Sequence, residues 1–189
     1  MSSPISFHKQ ALVTISGPAG SGKSHCALRL AEFFDMPCHS SGSIFRSMAS
    51  ERKITIAELS KLAERDSAID REIDRRTEEY AMKGGCILEG RLVSWFSKSS
   101  TKLSIYIAAP FEVRVKRIAE RDGITYEEAA KKTRAREMSE SKRYRSIYGI
   151  DIADLTAYDF VINTTLWDKD AVVELLKSII SLYIKTLQA

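Results

Sequence analysis

Ala11-Leu12-Val13-Thr14-Ile15-Ser16-Gly17-Pro18-Ala19-Gly20-Ser21-Gly22-Lys23-Ser24 is the stretch whose reading decides the fold. An apolar run, residues 11–15, leads into Gly17-Pro18-Ala19-Gly20-Ser21-Gly22-Lys23-Ser24, a G-x-x-x-x-G-K-S loop. Cys26-Ala27-Leu28-Arg29-Leu30-Ala31-Glu32-Phe33-Phe34 follows with helical apolar spacing. Strand, glycine loop, helix is the context that gives such a match its meaning. Glycines let the backbone wrap an anion and turn several N–H groups inward. The helix behind them offers its positive dipole end. Lys23 adds a mobile charge for the β- and γ-phosphates, and the Ser24 hydroxyl can ligate the Mg²⁺ that travels with a nucleoside triphosphate. His25 is grouped with the loop as a neighbour of the triphosphate rather than as a base.

The chain is long enough for one domain: it has 189 residues, of which 44% are hydrophobic. No run approaches the ~18 apolar residues of a membrane span. Residues 1–10 are polar and lack the apolar centre of a secretion signal, so a cytoplasmic protein is expected. Cys26, Cys38 and Cys86 are far apart, which suggests neither a disulfide framework nor a zinc site; each is expected to be a small buried residue. His8, His25 and His39 show no metal-ligand spacing. The net charge of +4 does not demand a nucleic-acid partner. Its distribution is uneven. Lys131, Lys132, Arg134, Arg136, Lys142, Arg143 and Arg145 crowd one segment, against only Glu137 and Glu140.

Strands and helices alternate along the chain. Strands are expected at residues 11–15, 38–42, 86–88, 103–108 and 160–162. Helices are expected after the loop to about Phe34, over 43–51, from the capping box Thr55-Ile56-Ala57-Glu58, over 67–83 and over 111–120. A further one starts at a second capping box, Thr125-Tyr126-Glu127-Glu128, and the last is capped by Asp168. The 67–83 helix reads as exposed, a thin stripe of Ile69, Ile73 and Tyr80 among charges paired at i, i+4. The order implies an α/β fold, a five-stranded parallel sheet covered on both faces. No repeat or linker marks a second domain.

Such a loop names the phosphate donor but not the acceptor. Three later features bear on the acceptor. Ser41-Gly42-Ser43-Ile44-Phe45-Arg46 places an arginine one turn behind a glycine turn, where a guanidinium can meet a second phosphate in two-point geometry. Glu89-Gly90-Arg91 ends a short apolar strand, and strand carboxyl ends face the ligand in such sheets. Glu89 can order Mg²⁺ waters, and Arg91 can reach an acceptor's phosphate. The basic segment 131–145 is a solvated face, a nucleic-acid patch, or a lid whose arginines close over the transferring group and exclude water.

Together these residues resemble the nucleoside monophosphate (NMP) kinases, and most closely the archaeal-type cytidylate kinases. The resemblance rests on Gly42-Ser43-Ile44-Phe45-Arg46, on Ile69-Asp70-Arg71-Glu72-Ile73-Asp74-Arg75-Arg76 and on Leu88-Glu89-Gly90-Arg91-Leu92. The arginines of 134–145 and Tyr148-Gly149-Ile150-Asp151-Ile152-Ala153-Asp154-Leu155-Thr156-Ala157-Tyr158-Asp159 complete it. It spans nearly the whole chain. It implies a three-layer P-loop NTPase fold in a single domain over residues 1–189, with NMP-binding helices at about 40–84 and a lid at about 124–148. It also implies ATP with Mg²⁺ as donor, and CMP and dCMP as acceptors, within pyrimidine nucleotide metabolism.

Carried over residue by residue, Gly17, Pro18, Ala19, Gly20, Ser21, Gly22, Lys23, Ser24 and His25 would hold ATP, with Asn163 beside its adenine. Gly42, Arg46, Arg91 and Asp151 would bind the CMP. Lys23, Arg91, Arg136 and Arg143 would act on the phosphoryl group. Ser24 and, through water, Glu89 would serve the metal. Asp151 and Asp154 are both candidates to hold the lid arginines or the ribose. No general base is needed, because the acceptor oxygen is already anionic. Two positions depart from the pattern: several archaeal members carry Thr where this chain has Lys23, and bacterial cytidylate kinases carry Asp at the position of Leu92. The lid is expected to move without ligand. A monomer without nucleic-acid or membrane partners is expected. The alternatives are a kinase for another NMP or small acceptor, and a P-loop ATPase that binds nucleotide or RNA.

Overall fold

The structure, a computed structural model, describes residues 11–97 and 102–187. The segment read as lacking a secretion signal, with His8, lies outside them. Five parallel strands form one sheet: β1 (Leu12–Ser16), β2 (Cys38–Ser40), β3 (Cys86–Gly90), β4 (Lys102–Ala108) and β5 (Phe160–Asn163). Their order is β2-β3-β1-β4-β5, so β1 is central. Every residue of β1 and β3 is buried, which explains their unbroken apolar reading: a parallel strand covered on both faces has no polar side to alternate with.

Helices cover both faces. On one, α1 (Lys23–Phe34) and α8 (Lys169–Thr186) press Leu30, Leu176 and Ile180 against Val13, Ile15 and Ile105. Each fully buried side chain of this size contributes about 1.5–3 kcal/mol. On the other, α4 (Ala68–Lys83) and the short α5 (Val93–Phe96) set Ala81 and Val93 over Leu12 and Leu88. The helices α2 (Ser41–Glu51) and α3 (Ile56–Ala63) join α4 in a second cluster around Leu59, Ile69 and Ile73. Then α6 (Phe111–Asp122) packs on the long α7 (Tyr126–Tyr148) through Val115, Ile118 and Ala129.

All three expected helix caps are present, with Asp168 accepting from the Asp170 and Ala171 N–H groups, and the first of the two expected capping boxes is complete. Thr55 and Glu58 form a reciprocal capping box, and the Thr125 side chain accepts from the Glu128 N–H. Three expectations are corrected. The second strand stops at Ser40 instead of Gly42, because Ser40 caps α2 by accepting from the Ser43 N–H. The third runs two residues past Leu88, because Glu89 and Gly90 continue the ladder with β1. The 67–83 helix is not mainly exposed. Its Ile69, Asp70, Ile73, Thr77 and Ala81 are all buried, since it is wedged between the sheet and the α2–α3 pair. The charge pairing on its outer face is present, as Glu72–Arg76 at 2.7 Å and Arg75–Glu79. Cys26 and Cys86 are buried as expected, whereas Cys38 is half-buried.

Candidate active site

A cleft of about 1520 Å³ opens at the carboxyl ends of β1, β2 and β3. Pockets for one drug-sized ligand run to about 300–1,000 Å³, so this cleft has room for two such molecules. Its floor is the glycine loop, which contributes Ala19 through Lys23 and, beyond it, Ser24 and His25. The loop sits close to its neighbours. Gly20 has φ +79°, and a Cβ there would stand 2.6 Å from the Arg114 carbonyl oxygen. Only glycine tolerates both conditions. Gly17 and Pro18 lie behind the wall of the cleft. The buried Ser21 Oγ and His25 Nε2 have no hydrogen-bond partner; unpaired polar groups in such a place are costly unless a ligand meets them.

Lys23 is the centre of charge. Its Nζ lies 3.4 Å from Glu89, and its side chain is 14% exposed. Burial pulls its pKa below the ordinary lysine value; Glu89 opposes this, while the nearby Arg91 and Arg136 add to it. A cation so placed gains most from a multiply charged anion. Glu89 is fixed in turn by Ser40, whose hydroxyl donates to it at 2.6 Å. Ser24 and Glu89 supply hard oxygen donors at the cleft wall, the donor type that suits Mg²⁺.

Arg91, at the end of β3, is held by α7. Its Nε donates to Glu140 at 2.6 Å and its Nη2 to Glu137 at 3.3 Å. Glu140 also accepts from Arg136 Nε at 2.7 Å. Burial works to raise the Glu140 pKa, but the two guanidiniums prevail and hold it at about 2. Arg46 lines the cleft with Gly42. Arg143 lies against Asp70, its Nη1 3.1 and 3.2 Å from the two carboxylate oxygens.

Two residues read from the sequence lie off the cleft wall. Asp151 is exposed and accepts from Arg145 Nη2 at 2.7 Å. Asn163 ends β5 and accepts from the Thr165 N–H and hydroxyl. Its neighbour Thr164 is on the wall instead, tied to Arg117 by bonds of 3.0 Å. Asp154 is also outside, bonded within its own loop to Thr156.

The sequence reading missed Arg114, Glu137 and Glu140 as parts of one network, and Arg117 as a bridge from Thr164 to the loop carbonyl of Ser21. Arg114 bridges Glu137 at 2.7 Å to the glycine-loop carbonyl of Ala19 at 3.0 Å. The available signals were the i, i+3 spacing of Arg114 and Arg117 and the i, i+4 spacing of Arg136 and Glu140. Both are common on surface helices.

Asp74 carries a pH signature. Burial raises its carboxyl pKa to about 7; Asp70 and Glu78 add to this, while the Tyr148 hydroxyl, which donates to it, works the other way. A folded pKa above the ordinary value near 4 means that its contribution to stability is fully present below about pH 4 and is lost as pH rises through 7. The melting temperature of Asp74→Asn should therefore rise relative to the parent chain between pH 4 and pH 8. A gap between the two that stays constant over that range would refute the assignment.

The glycine loop after the central strand of a 2-3-1-4-5 parallel sheet, opening on a basic cleft, defines the class: a P-loop α/β protein of the kinase fold. The shikimate kinase of Acinetobacter baumannii, solved in complex with shikimate, shares that fold. It is 18% identical, with a TM-score of 0.60 over 95% of this chain and 98% of that one. Within the class, the chain belongs to the cytidylate kinase-like family, whose profile matches residues 12–166. The cytidylate kinase of Pyrococcus furiosus is 45% identical over 89% of this chain and 88% of its own. That of Staphylothermus marinus is 41% identical over 92% of this chain and 98% of its own.

Proposed function

We propose that this protein transfers the γ-phosphoryl group of ATP to CMP, and to dCMP, giving ADP and the corresponding diphosphate. The coarser part of that reading, an ATP-dependent nucleoside monophosphate kinase, follows from membership of the family. The observation that carries the proposal is the gathering of three cations at the cleft, Lys23 against Glu89 and both Arg91 and Arg136 on the buried Glu140.

The loop N–H groups and Lys23 hold the donor phosphates. Arg46 and Arg91 grip the acceptor's α-phosphate, which brings its oxygen in line with the γ-phosphorus. Arg91 and Arg136 leave Glu140 for phosphate oxygens as these arrive, exchanging one set of anions for another. Arg136 then neutralises charge on the transferring group. Ser24 and, through water, Glu89 would hold Mg²⁺, which supplies charge neutralisation across the β- and γ-phosphates. The acceptor oxygen is anionic, so no side chain has to take a proton from it.

In the same reading, the chain is one domain whose helices at about 40–84 seat the acceptor and whose segment at about 124–148 closes as a lid and excludes water. The protein acts as a cytoplasmic monomer on small nucleotides. No helix among the described residues is long and apolar enough to cross a membrane. Arg136 and Arg143 of the basic helix bond to internal carboxylates, which disfavours reading α7 as a nucleic-acid stripe. A coupled assay with ATP and Mg²⁺ across CMP, dCMP, UMP, AMP and GMP tests the proposal. Turnover should be highest with CMP and dCMP. Absence of CMP turnover, or full activity with AMP or UMP alone, would overturn it.

A further inference from the structure

The cleft wall built from α2, α4, α5 and α7 holds a hydrogen-bond donor and an acceptor side by side. Asp70 of α4 and Arg143 of α7 are each about 5% exposed and face one another through Arg143 Nη1. Both line the cleft. Arg143 Nε is buried with no partner of its own. The guanidinium lies near the rings of Phe45 and Tyr144, 5.9 and 5.8 Å from their centroids. Phe45 and Phe96 add flat apolar surface to the same wall.

A buried ion pair of this kind is costly to desolvate and is weak evidence of stability. Asp70 holds Arg143, whereas the carboxylate that holds Arg91 and Arg136 is Glu140. The partnerless Nε, and the lone pairs that Nη1 leaves on two carboxylate oxygens, remain as a neutral donor–acceptor couple. That pattern suits a heterocycle better than an oxyanion. Arg91 and Arg136 meet on Glu140 and lie near enough to Lys23 to act on its charge, which places them, rather than Arg143, with the phosphates.

We propose that Asp70 and Arg143 read the acceptor's base, the guanidinium donating to the O2 and N3 side of cytosine and the carboxylate accepting from its 4-amino group. Uracil reverses both partners. Its N3–H would meet the donor, and its O4 would meet the carboxylate. A site built this way rejects the wrong base because its buried polar groups are left unpaired. This rests on the CMP kinase reading and deepens it. It also takes Arg143 out of the group that handles the phosphoryl transfer.

The test compares kcat/KM for CMP, UMP and the monophosphate of pyrimidin-2-one riboside, which lacks the 4-amino group. If the parent enzyme phosphorylates neither CMP nor UMP, the kinase reading fails before any variant is made. If it does act, removing the 4-amino group should lower kcat/KM by about 10-fold or more; equal turnover of CMP and the pyrimidin-2-one nucleotide would overturn the inference. Asp70→Asn should lower the CMP-to-UMP ratio by about 10- to 100-fold. Arg143→Lys keeps a charge opposite Asp70 but loses the planar fork, and it should lower the same ratio. It decides the matter if Asp70→Asn does not fold. An unchanged ratio, or an equal loss on every acceptor, would overturn the inference, the latter because it marks a contact with the phosphoryl group. Should neither variant fold, the comparison on the parent enzyme decides.

Discussion

Lys23→Ala should lower kcat by about 10²- to 10³-fold, the loss seen when one preorganised donor to the developing charge is removed. The reason is local. Lys23 is the one full positive charge on the loop floor, and burial beside Arg91 and Arg136 already makes that charge unfavourable without an anion. Its interaction with the phosphoryl group should therefore strengthen as negative charge gathers there. The fold should survive, because Glu89 keeps the Ser40 hydroxyl at 2.6 Å when the lysine goes. Lys23→Arg, which retains the charge, should recover part of the rate. Steady-state kinetics with saturating CMP and a circular dichroism melt check both points. Near-normal kcat in a folded Lys23→Ala protein would refute the role.

The second large effect is expected at Arg91. Arg91→Ala should lower kcat/KM for CMP by about 10²- to 10³-fold, mostly through KM for CMP, with KM for ATP little changed. A charge-assisted contact to the acceptor's phosphate is worth several kcal/mol in a buried site. The stability consequence is separate. Arg91 joins β3 to α7 through Glu140 and Glu137, so its removal leaves Glu140 buried with Arg136 alone. Breaking a buried pair this way costs about 3–5 kcal/mol. Activity should accordingly be measured well below the melting temperature of the variant. An effect confined to KM for ATP would contradict the assignment to the acceptor side.

These two residues differ in how legible they were. Lys23 belongs to a contiguous motif whose neighbours in sequence are its neighbours in space, because loop and helix N-terminus fold locally. Arg91 was readable as a residue at a strand end, but its partners lie 46 and 49 positions away on another helix. Glu137 and Glu140 appeared in the sequence only as a minority of acidic residues in a basic segment. The structure shows them gathering Arg91, Arg114 and Arg136 beside the loop.

Asp70 illustrates the opposite failure. Its helix is so rich in charge that it reads as solvated, yet Asp70 faces inward to Arg143, 73 residues away. Sequence spacing says which residues share a helical face, but not which face the rest of the protein covers. Asp151 and Asn163 entered through the resemblance. The Asp151 side chain holds Arg145 of the basic segment, one of the two kinds of partner expected for it, and that of Asn163 closes a local turn with Thr165.

The order of strands and helices, the phosphate loop and its caps were determined by the sequence alone, since each depends on interactions among residues within a few positions of one another. The 2-3-1-4-5 strand order and the size of the cleft were decided only by the tertiary structure. So was the division of the arginines between Glu140, which holds Arg91 and Arg136, and Asp70, which holds Arg143. All three depend on contacts between segments distant in sequence, and a buried charge above all is defined by partners that only the folded chain brings together.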